Sequence, residues 1–542
     1  MTMLSTMASS VWLASSLPSW RRFRCALQDP WKGQERILRR LLAENSRSAY
    51  GRAYNFGSVR NYADFKERVP LVKFDDLAPW IQRVAQGESS VLTSEPVTNL
   101  IPTSGSTAGR KLIPFTAGLQ REFNAAIGPW MLDLARQHPA ITSGTAYWSI
   151  SPSLPPTNKE AFAVPIGFED DSGYLGGIRR RLVEATFAVP SLMRHAPNIE
   201  TSRYLTLLCL LRSRALALIS VWHPSFLALL LDALPAWWEE LADDVRTGGC
   251  SRGVNLREDL RRAMTSKPQP ARAKELLALD PTQPEKLWPG LKLVSCWGDG
   301  QASLAWADLK RRLPNTAIQQ KGLLASEAFI SIPFQGLHPL AVTSHFYEFS
   351  DAADRIHLGH ELKTGETYSV IVTTGGGLWR YRLGDIVEVS GFLGATPSLR
   401  FLGREGNVSD LCGEKLSEAF VTQAISRACL PISDSPRFAL LAPEHNAQGR
   451  WCYTLFVEGE AFPQLADLLD RELCENPHYA ICRNLGQLGP VRCFQVIEDG
   501  YATYANTRMK RGLKLGEIKP QFLSAEPNWT KVFRGHYATT PV

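Results

Sequence analysis

Between Ile101 and Pro114 the chain reads I-P-T-S-G-S-T-A-G-R-K-L-I-P, gathering the hydroxyls of Thr103, Ser104, Ser106 and Thr107 around Gly105 and Gly109, then Arg110 and Lys111. Glycine lets a backbone turn tightly and bring its N–H groups to a polyanion, hydroxyls add donors, and cations neutralise what remains. The stretch suits a phosphate cradle, with Ser104, Gly105, Ser106, Thr107 and Lys111 as candidate contacts. Its spacing is not Walker A: three residues separate the glycines rather than four, and Leu112 follows the lysine where that motif needs Ser or Thr. An ordinary polar loop uses the same residue types, so the reading depends on what else the chain offers.

A nucleotide also presents ribose hydroxyls. The strand-like T-Y-S-V-I-V-T-T of residues 367–374 runs into Gly375-Gly376-Gly377 and then L-W-R-Y-R-L-G-D at 378–385, with I-V-E-V as the next strand. Asp385 is thereby placed where a turn feeds a strand, and a carboxylate there accepts both hydroxyls of a ribose. A plain Gly384-Asp385 turn pair is the alternative. Late in the chain, L-G-E-I-K-P sets Lys519 just before a proline. His357 and His360 form an H-x-x-H pair with no third ligand nearby, so a polar turn is expected there rather than a metal site.

The elements that must hold these residues follow from composition and periodicity. With 542 residues, 44% hydrophobic and 21% charged, the chain has the balance of a folded globular enzyme of two or more domains. Its net charge of +7 is a small excess, and no dense Lys/Arg tract with interleaved aromatics points to nucleic acid. The ten cysteines form no C-x-x-C pair, so reduced thiols are expected. The apolar runs 205–211 and 226–231 are too short to span a bilayer and read as core helices. Residues 1–20 lack the basic opening of a secretory signal. Cytoplasmic residence is the expectation.

Residues 30–45 and 120–135 carry helical periodicity, the latter suggesting a loop followed by a helix whose N-terminus would favour phosphate. Residues 149–179, rich in Pro and Gly, read as a surface excursion. V-W-H-P-S-F at 221–226 opens an apolar helix with Ser225 near its start, read as core packing. Buried strands are expected at 291–296 and 316–318, and helices between short buried strands favour an α/β architecture. Residues 405–418 are polar and mixed enough for a hinge, and the rest reads as a compact α+β unit.

T-S-G-S-T-A-G-R-K, then A-S-E at 325–327, then R-Y-R-L-G-D resemble the three nucleotide motifs of the Gretchen Hagen three family of acyl acid amido synthetases. The resemblance extends to Y-G-R at 50–52, W-H-P-S-F, L-W-P at 287–289, E-K-L-S-E at 414–418 and G-E-I-K-P, and so covers most of the chain. It implies an adenylate-forming, firefly-luciferase-like fold: a large N-terminal α/β domain (1–408), a smaller mobile α+β C-terminal domain (409–542), and the site between them. It implies a two-step reaction in which a carboxylic acid displaces pyrophosphate from ATP to give an acyl-adenylate, and an amino acid's amine then displaces AMP. By the same resemblance, Glu327 lies by the adenine and the magnesium ion, Lys415 sits at the hinge near the nucleotide, and Lys519 swings in as the catalytic cation. Partners are then small-molecule acids and amino acids, with neither nucleic acid nor membrane, for a monomer or weak homo-oligomer.

Two positions depart from the family pattern. Ser106 stands where threonine is usual, which keeps the hydroxyl. Leu323 or Leu324 stands where a tyrosine usually opens the second motif, so adenine must pack on aliphatic carbon. Transfer to a thiol, as in coenzyme A ligases, and a non-catalytic nucleotide-binding relic are the alternatives.

Overall fold

The computed structural model describes residues 2–103, 111–149, 162–167, 177–253, 255–300, 302–432, 436–446, 448–459, 463–510, 518 and 521–538. The candidates Ser104, Gly105, Ser106, Thr107 and Lys519 lie outside the described residues.

β1 (Val97–Thr103) and β2 (Lys111–Thr116) pair antiparallel, from Val97 opposite Thr116 to Thr103 opposite Lys111. Residues 104–110 join the two strands at that last pair. The helix expected at 120–135 runs over Ala117–Gln137, but β2, with Ile113 and Phe115 buried, lies between the loop and its N-terminus. Six strand residues span roughly 20 Å, so the helix N-terminus is not at the loop. Thr116 caps that helix instead, its hydroxyl accepting the Leu119 N–H at 3.1 Å and donating to the Gly375 carbonyl at 2.8 Å.

A parallel sheet follows, in the order β3 (Thr145–Trp148), β4 (Leu216–Ser220), β5 (Leu293–Cys296) and β6 (Ala317–Gln320). Parallel neighbours need long crossovers, and helices such as Ile199–Arg212, Pro224–Asp232 and Ala302–Arg312 supply them. The 205–211 run is buried from end to end within the first of these. No helix of the described residues is long and apolar enough to cross a membrane.

Next come β7 (Phe346–Ser350), β8 (Ile356–Leu358), β9 (Thr367–Thr373), β10 (Tyr381–Leu393) and β11 (Thr396–Arg404), an antiparallel sheet in the order β11-β10-β9-β7-β8. Gly384-Asp385, expected in a turn ahead of a strand, lies inside β10. Opposite β9 the register slips between Arg382 and Ile386, and Gly384 has φ +81°. This is a β-bulge built on glycine's tolerance of positive φ, and bulges re-aim side chains. Arg380, the first residue of R-Y-R-L-G-D, is structural. Buried with Glu348, it binds that carboxylate through Nε and Nη2 at 2.8–3.1 Å and donates Nη1 to the carbonyls of Lys66 and Val69.

β12 (Val408–Ser409) and β13 (Leu416–Ser417) form a two-stranded ladder within the expected hinge. The last sheet is mixed: β14 (Phe438–His445), β15 (Trp451–Glu458), β16 (Arg492–Val496) and β17 (Gly535–Tyr537). Period-two alternation decides which face each residue serves. Ala439 and Leu441 pack on the helices Glu418–Cys429 and Pro463–Leu473, while Phe438, Leu440 and Ala442 pack on Tyr501, Tyr504, Trp529 and Phe533. Leu304 and Leu229, from the α/β part, join these two clusters.

Candidate active site

In an open parallel sheet the side chains just beyond the carboxyl ends of the strands are free of strand pairing and converge on one crevice. Here Ser149 follows β3, Trp222 and His223 follow β4, Trp297 to Gly300 follow β5, and Lys321 to Leu324 follow β6. Residues from all four segments line one cavity of about 130 Å³. Phe401 to Arg404, at the end of β11, form a second wall. Glu418 and Thr422, Tyr501, Ile518 and Gln521 close it from the C-terminal part of the chain.

Arg404 faces Asp385 across the β10–β11 ladder, its Nε donating to Oδ1 at 2.9 Å. Asp385 is fully buried, and its Oδ2 has no hydrogen-bond partner. A buried carboxylate oxygen without a donor is costly unless a ligand supplies one. Asp385 and then Glu327 raise the pKa of the Arg404 guanidinium, and burial followed by Glu327 raises that of the Tyr381 phenol. Glu327, Asp385, Tyr381 and Arg404 therefore interact electrostatically, and of the four Arg404 lines the cavity. Glu327 sits in a tight turn closed by Ala325 N–H to the Ala328 carbonyl at 2.9 Å.

Of the two leucines at the departed tyrosine position, Leu324 lines the cavity and Leu323 is core. The aromatic surface comes from elsewhere: Trp297 and Phe401 meet edge to face with centroids 5.6 Å apart. The Lys321 ammonium lies over the Trp222 ring at 4.7 Å. Asp299 is held by the Phe401 N–H at 3.1 Å and by the Gln320 amide, and burial pushes its pKa up.

His223, which the sequence assigns with its neighbours to core packing, has a wider role. It does cap the helix Pro224–Asp232, its Nδ1 accepting from Ser225 N–H at 3.3 Å and lying 2.6 Å from Ser225 Oγ. It also lines the cavity, stacks on Tyr501 at 5.1 Å and 4°, and leaves Nε2 buried without a partner. Burial pushes its pKa down to about 3, so the ring is neutral.

Glu418 accepts the Phe522 N–H at 2.8 Å through Oε1 and the Asn407 amide through Oε2; that same amide reaches the Leu523 carbonyl at 3.0 Å. Burial raises its pKa to about 7.

The remaining candidates lie apart from the cavity lining. Lys111 is half-buried in β2 with its ammonium 5.6 Å from the Phe74 ring. Lys415 is exposed, with φ +47°, beside a fully buried Glu414 that accepts the Leu411 and Cys412 N–H groups at 2.8 Å. Arg404, Lys321, His223 and Tyr501 do not stand out in the sequence as site residues. For His223 and Lys321 the available signal is position, just after short parallel strands; Arg404, at the end of an antiparallel strand, and Tyr501, in a helix, carry no such signal.

The fold is that of acyl acid amido synthetases. The chain matches the solved AtGH3.15 acyl acid amido synthetase in complex with 2,4-DB at a TM-score of 0.83 and 20% identity, covering 97% of this chain and 98% of that one. The chain belongs to the GH3 family: the family's N-terminal domain matches residues 20–318, its central domain 338–404 and its C-terminal domain 419–528. It is 29% identical over 468 residues to the probable indole-3-acetic acid-amido synthetase GH3.12 of Oryza sativa subsp. japonica, covering 75% of this chain and 74% of that protein. It is 26% identical over 559 residues to the indole-3-acetic acid-amido synthetase GH3.17 of Arabidopsis thaliana, covering 90% of each.

Proposed function

We propose that this chain is an ATP-dependent acyl acid amido synthetase, which activates a carboxylic acid as its adenylate and passes the acyl group to an amino acid. The observation that carries this reading is the cavity at the carboxyl ends of β3 to β6, backed by an Asp385 whose buried Oδ2 awaits a donor. A ribose hydroxyl is such a donor. The names of the two relatives described above, both amido synthetases, support the acceptor being an amine.

In the first step a carboxylate oxygen bonds to the α-phosphorus as the bond to the β-phosphate breaks, and pyrophosphate leaves. In the second the amine nitrogen bonds to the acyl carbon, AMP departs with the electron pair, and the amine sheds a proton. The nucleophile is the substrate's own, so the protein's contribution is alignment and charge. Asp385 holds the ribose. Trp297, Phe401 and Leu324 supply the surface for the base. Ser104, Gly105, Ser106 and Thr107, with Lys111 behind them, contact phosphate. A magnesium ion, when bound, would offset phosphate charge, and Glu327 is the carboxylate that would hold it. Residues 409–542 form a mobile domain that brings Lys519 to the reacting groups and, with Lys415 at the hinge, excludes water from the labile anhydride. Ten free cysteines suit a reducing cytoplasm.

Acid-dependent exchange of labelled pyrophosphate into ATP tests the first step, with a panel of indole-3-acetate, benzoates and aliphatic acids. Competition between amino acids and coenzyme A then tests the second. Exchange supported by no acid of a broad panel, or a thioester as the product, would overturn the reading.

A further inference from the structure

We infer that His223 presents a neutral Nε2–H donor to the carboxyl oxygen of the acid substrate, and that Ser225 and Tyr501 are the positioning residues that fix it. This rests on the adenylation reading above.

The ring's tautomer follows from its partners. Ser225 N–H points at Nδ1, so Nδ1 carries a lone pair, and in a neutral ring the proton must then sit on Nε2. Ser225 Oγ, 2.6 Å from Nδ1, reinforces this when it donates there. Tyr501 stacks on the imidazole with planes 4° apart, and its phenol interacts electrostatically with the Ser225 side chain. The outcome is a buried N–H on the cavity wall with nothing to accept it. A buried donor of this kind calls for an acceptor from the ligand.

Two features say which acceptor. The Lys321 ammonium is held over Trp222, the residue next to His223, so a cation stands on the same stretch of wall. Phe226 and Leu229, from the helix that His223 caps, line the same cavity and present only carbon. The pair suits an acid with a carboxylate at one end and an apolar body at the other. Arg404, paired with the Asp385 that suits the nucleotide, lines the cavity from β11. Tyr501 comes from the helix Gly500–Lys510 in the C-terminal part, so the donor is fixed only while that part is docked as described.

The test uses whichever acid of the panel supports the fastest exchange. His223→Leu should raise that acid's KM by roughly 10-fold to 100-fold, the loss of one hydrogen bond to a charged acceptor, with the KM of ATP within about twofold. His223→Gln, which keeps an N–H near the Nε2 position, should recover most of it. Because His223 also caps a helix, ¹⁵N-histidine spectra of the wild-type protein give a second reading. They should show one ring protonated at Nε2 whose N–H shifts when the acid and a non-hydrolysable ATP analogue bind, and Tyr501→Phe should blur that preference. Unchanged acid KM in folded His223→Leu, or an Nε2 signal indifferent to the acid, overturns the assignment while leaving adenylation standing. A wild type in which no acid of the panel supports exchange removes both readings.

Discussion

Asp385 and Arg404 face each other across β10 and β11 with 2.9 Å between Oδ1 and Nε, and the pairing uses only one of the carboxylate's two oxygens. The other, Oδ2, stays buried and unpaired. A purely structural ion pair would satisfy both, since one unpaired buried acceptor costs about 1–3 kcal/mol. The bulge at Gly384 sets this geometry by turning Asp385 out of register with β9.

Asp385→Ala should therefore weaken ATP binding by on the order of 1.5–3 kcal/mol, the range for hydrogen bonds to a charged group. Calorimetric titration of the folded variant checks this. Unchanged affinity would leave the bulge with a structural role only.

Arg380, five residues earlier, makes the opposite case. Its guanidinium is consumed by Glu348 and two carbonyls, and none of its bonds points into the cavity. Arg380→Met strands a buried carboxylate and should cost about 3–5 kcal/mol of stability in denaturant unfolding, as for other broken buried pairs. Adding Glu348→Gln should restore part of it. In the folded fraction of either variant the KM for ATP should move by less than about threefold, because uniform binding is untouched.

Glu418 gives a pH dependence whose sign is fixed by its environment. Burial raises its pKa from 4.5 to about 7, so between those values the folded state holds a proton that the unfolded state has released. Stability from this group is then present below about pH 4.5 and is lost as pH rises through 7. Each pH unit between the two values is worth about 1.4 kcal/mol, so the loss is on the order of 3 kcal/mol. Burial also raises the carboxyls of Asp133, Asp299, Glu458 and Asp499. The measurement is therefore the difference between wild type and Glu418→Gln in denaturant titrations from pH 5 to 8. A difference that stays flat with pH would mean that Glu418 ionises normally.

The chemistry of single residues is legible in the sequence; its assembly is not. Gly384-Asp385 shows a carboxylate next to a permissive glycine, yet whether it forms a turn or a bulge depends on β9, a neighbour fixed only in three dimensions. Arg404 looks like the end of a strand because its partner is 19 residues back across a ladder. His223 carries a helix-cap signal, which is local and holds in the structure. Its second role needs Tyr501, far along the chain. Leu323 and Leu324 are equivalent in sequence, yet Leu323 is buried in the core and Leu324 lines the cavity. Burial of both faces leaves apolar runs that foretell β5 and β9, whereas β6 is half-buried throughout. β2 is missed, since a six-residue strand ahead of a long helix leaves little trace.

Lys519 is the candidate on which the two-step reaction depends most. Its sequence neighbours Ile518 and Gln521 line the cavity, and the Phe522 N–H is fastened to Glu418, which also ties in Asn407 at the hinge. A cation delivered to the α-phosphate while the acid attacks is worth most in that transition state and little once the amine displaces AMP. Lys519→Ala should thus lower adenylate formation by roughly 100-fold to 1000-fold, the effect of deleting one preorganised charge-stabilising donor. Amide formation from a supplied acyl-adenylate should fall far less. Single-turnover rates of the two half-reactions separate the cases: equal loss in both would remove the step-specific role, and no loss in either would make this lysine a surface residue beside Pro520, where substitutions rarely matter.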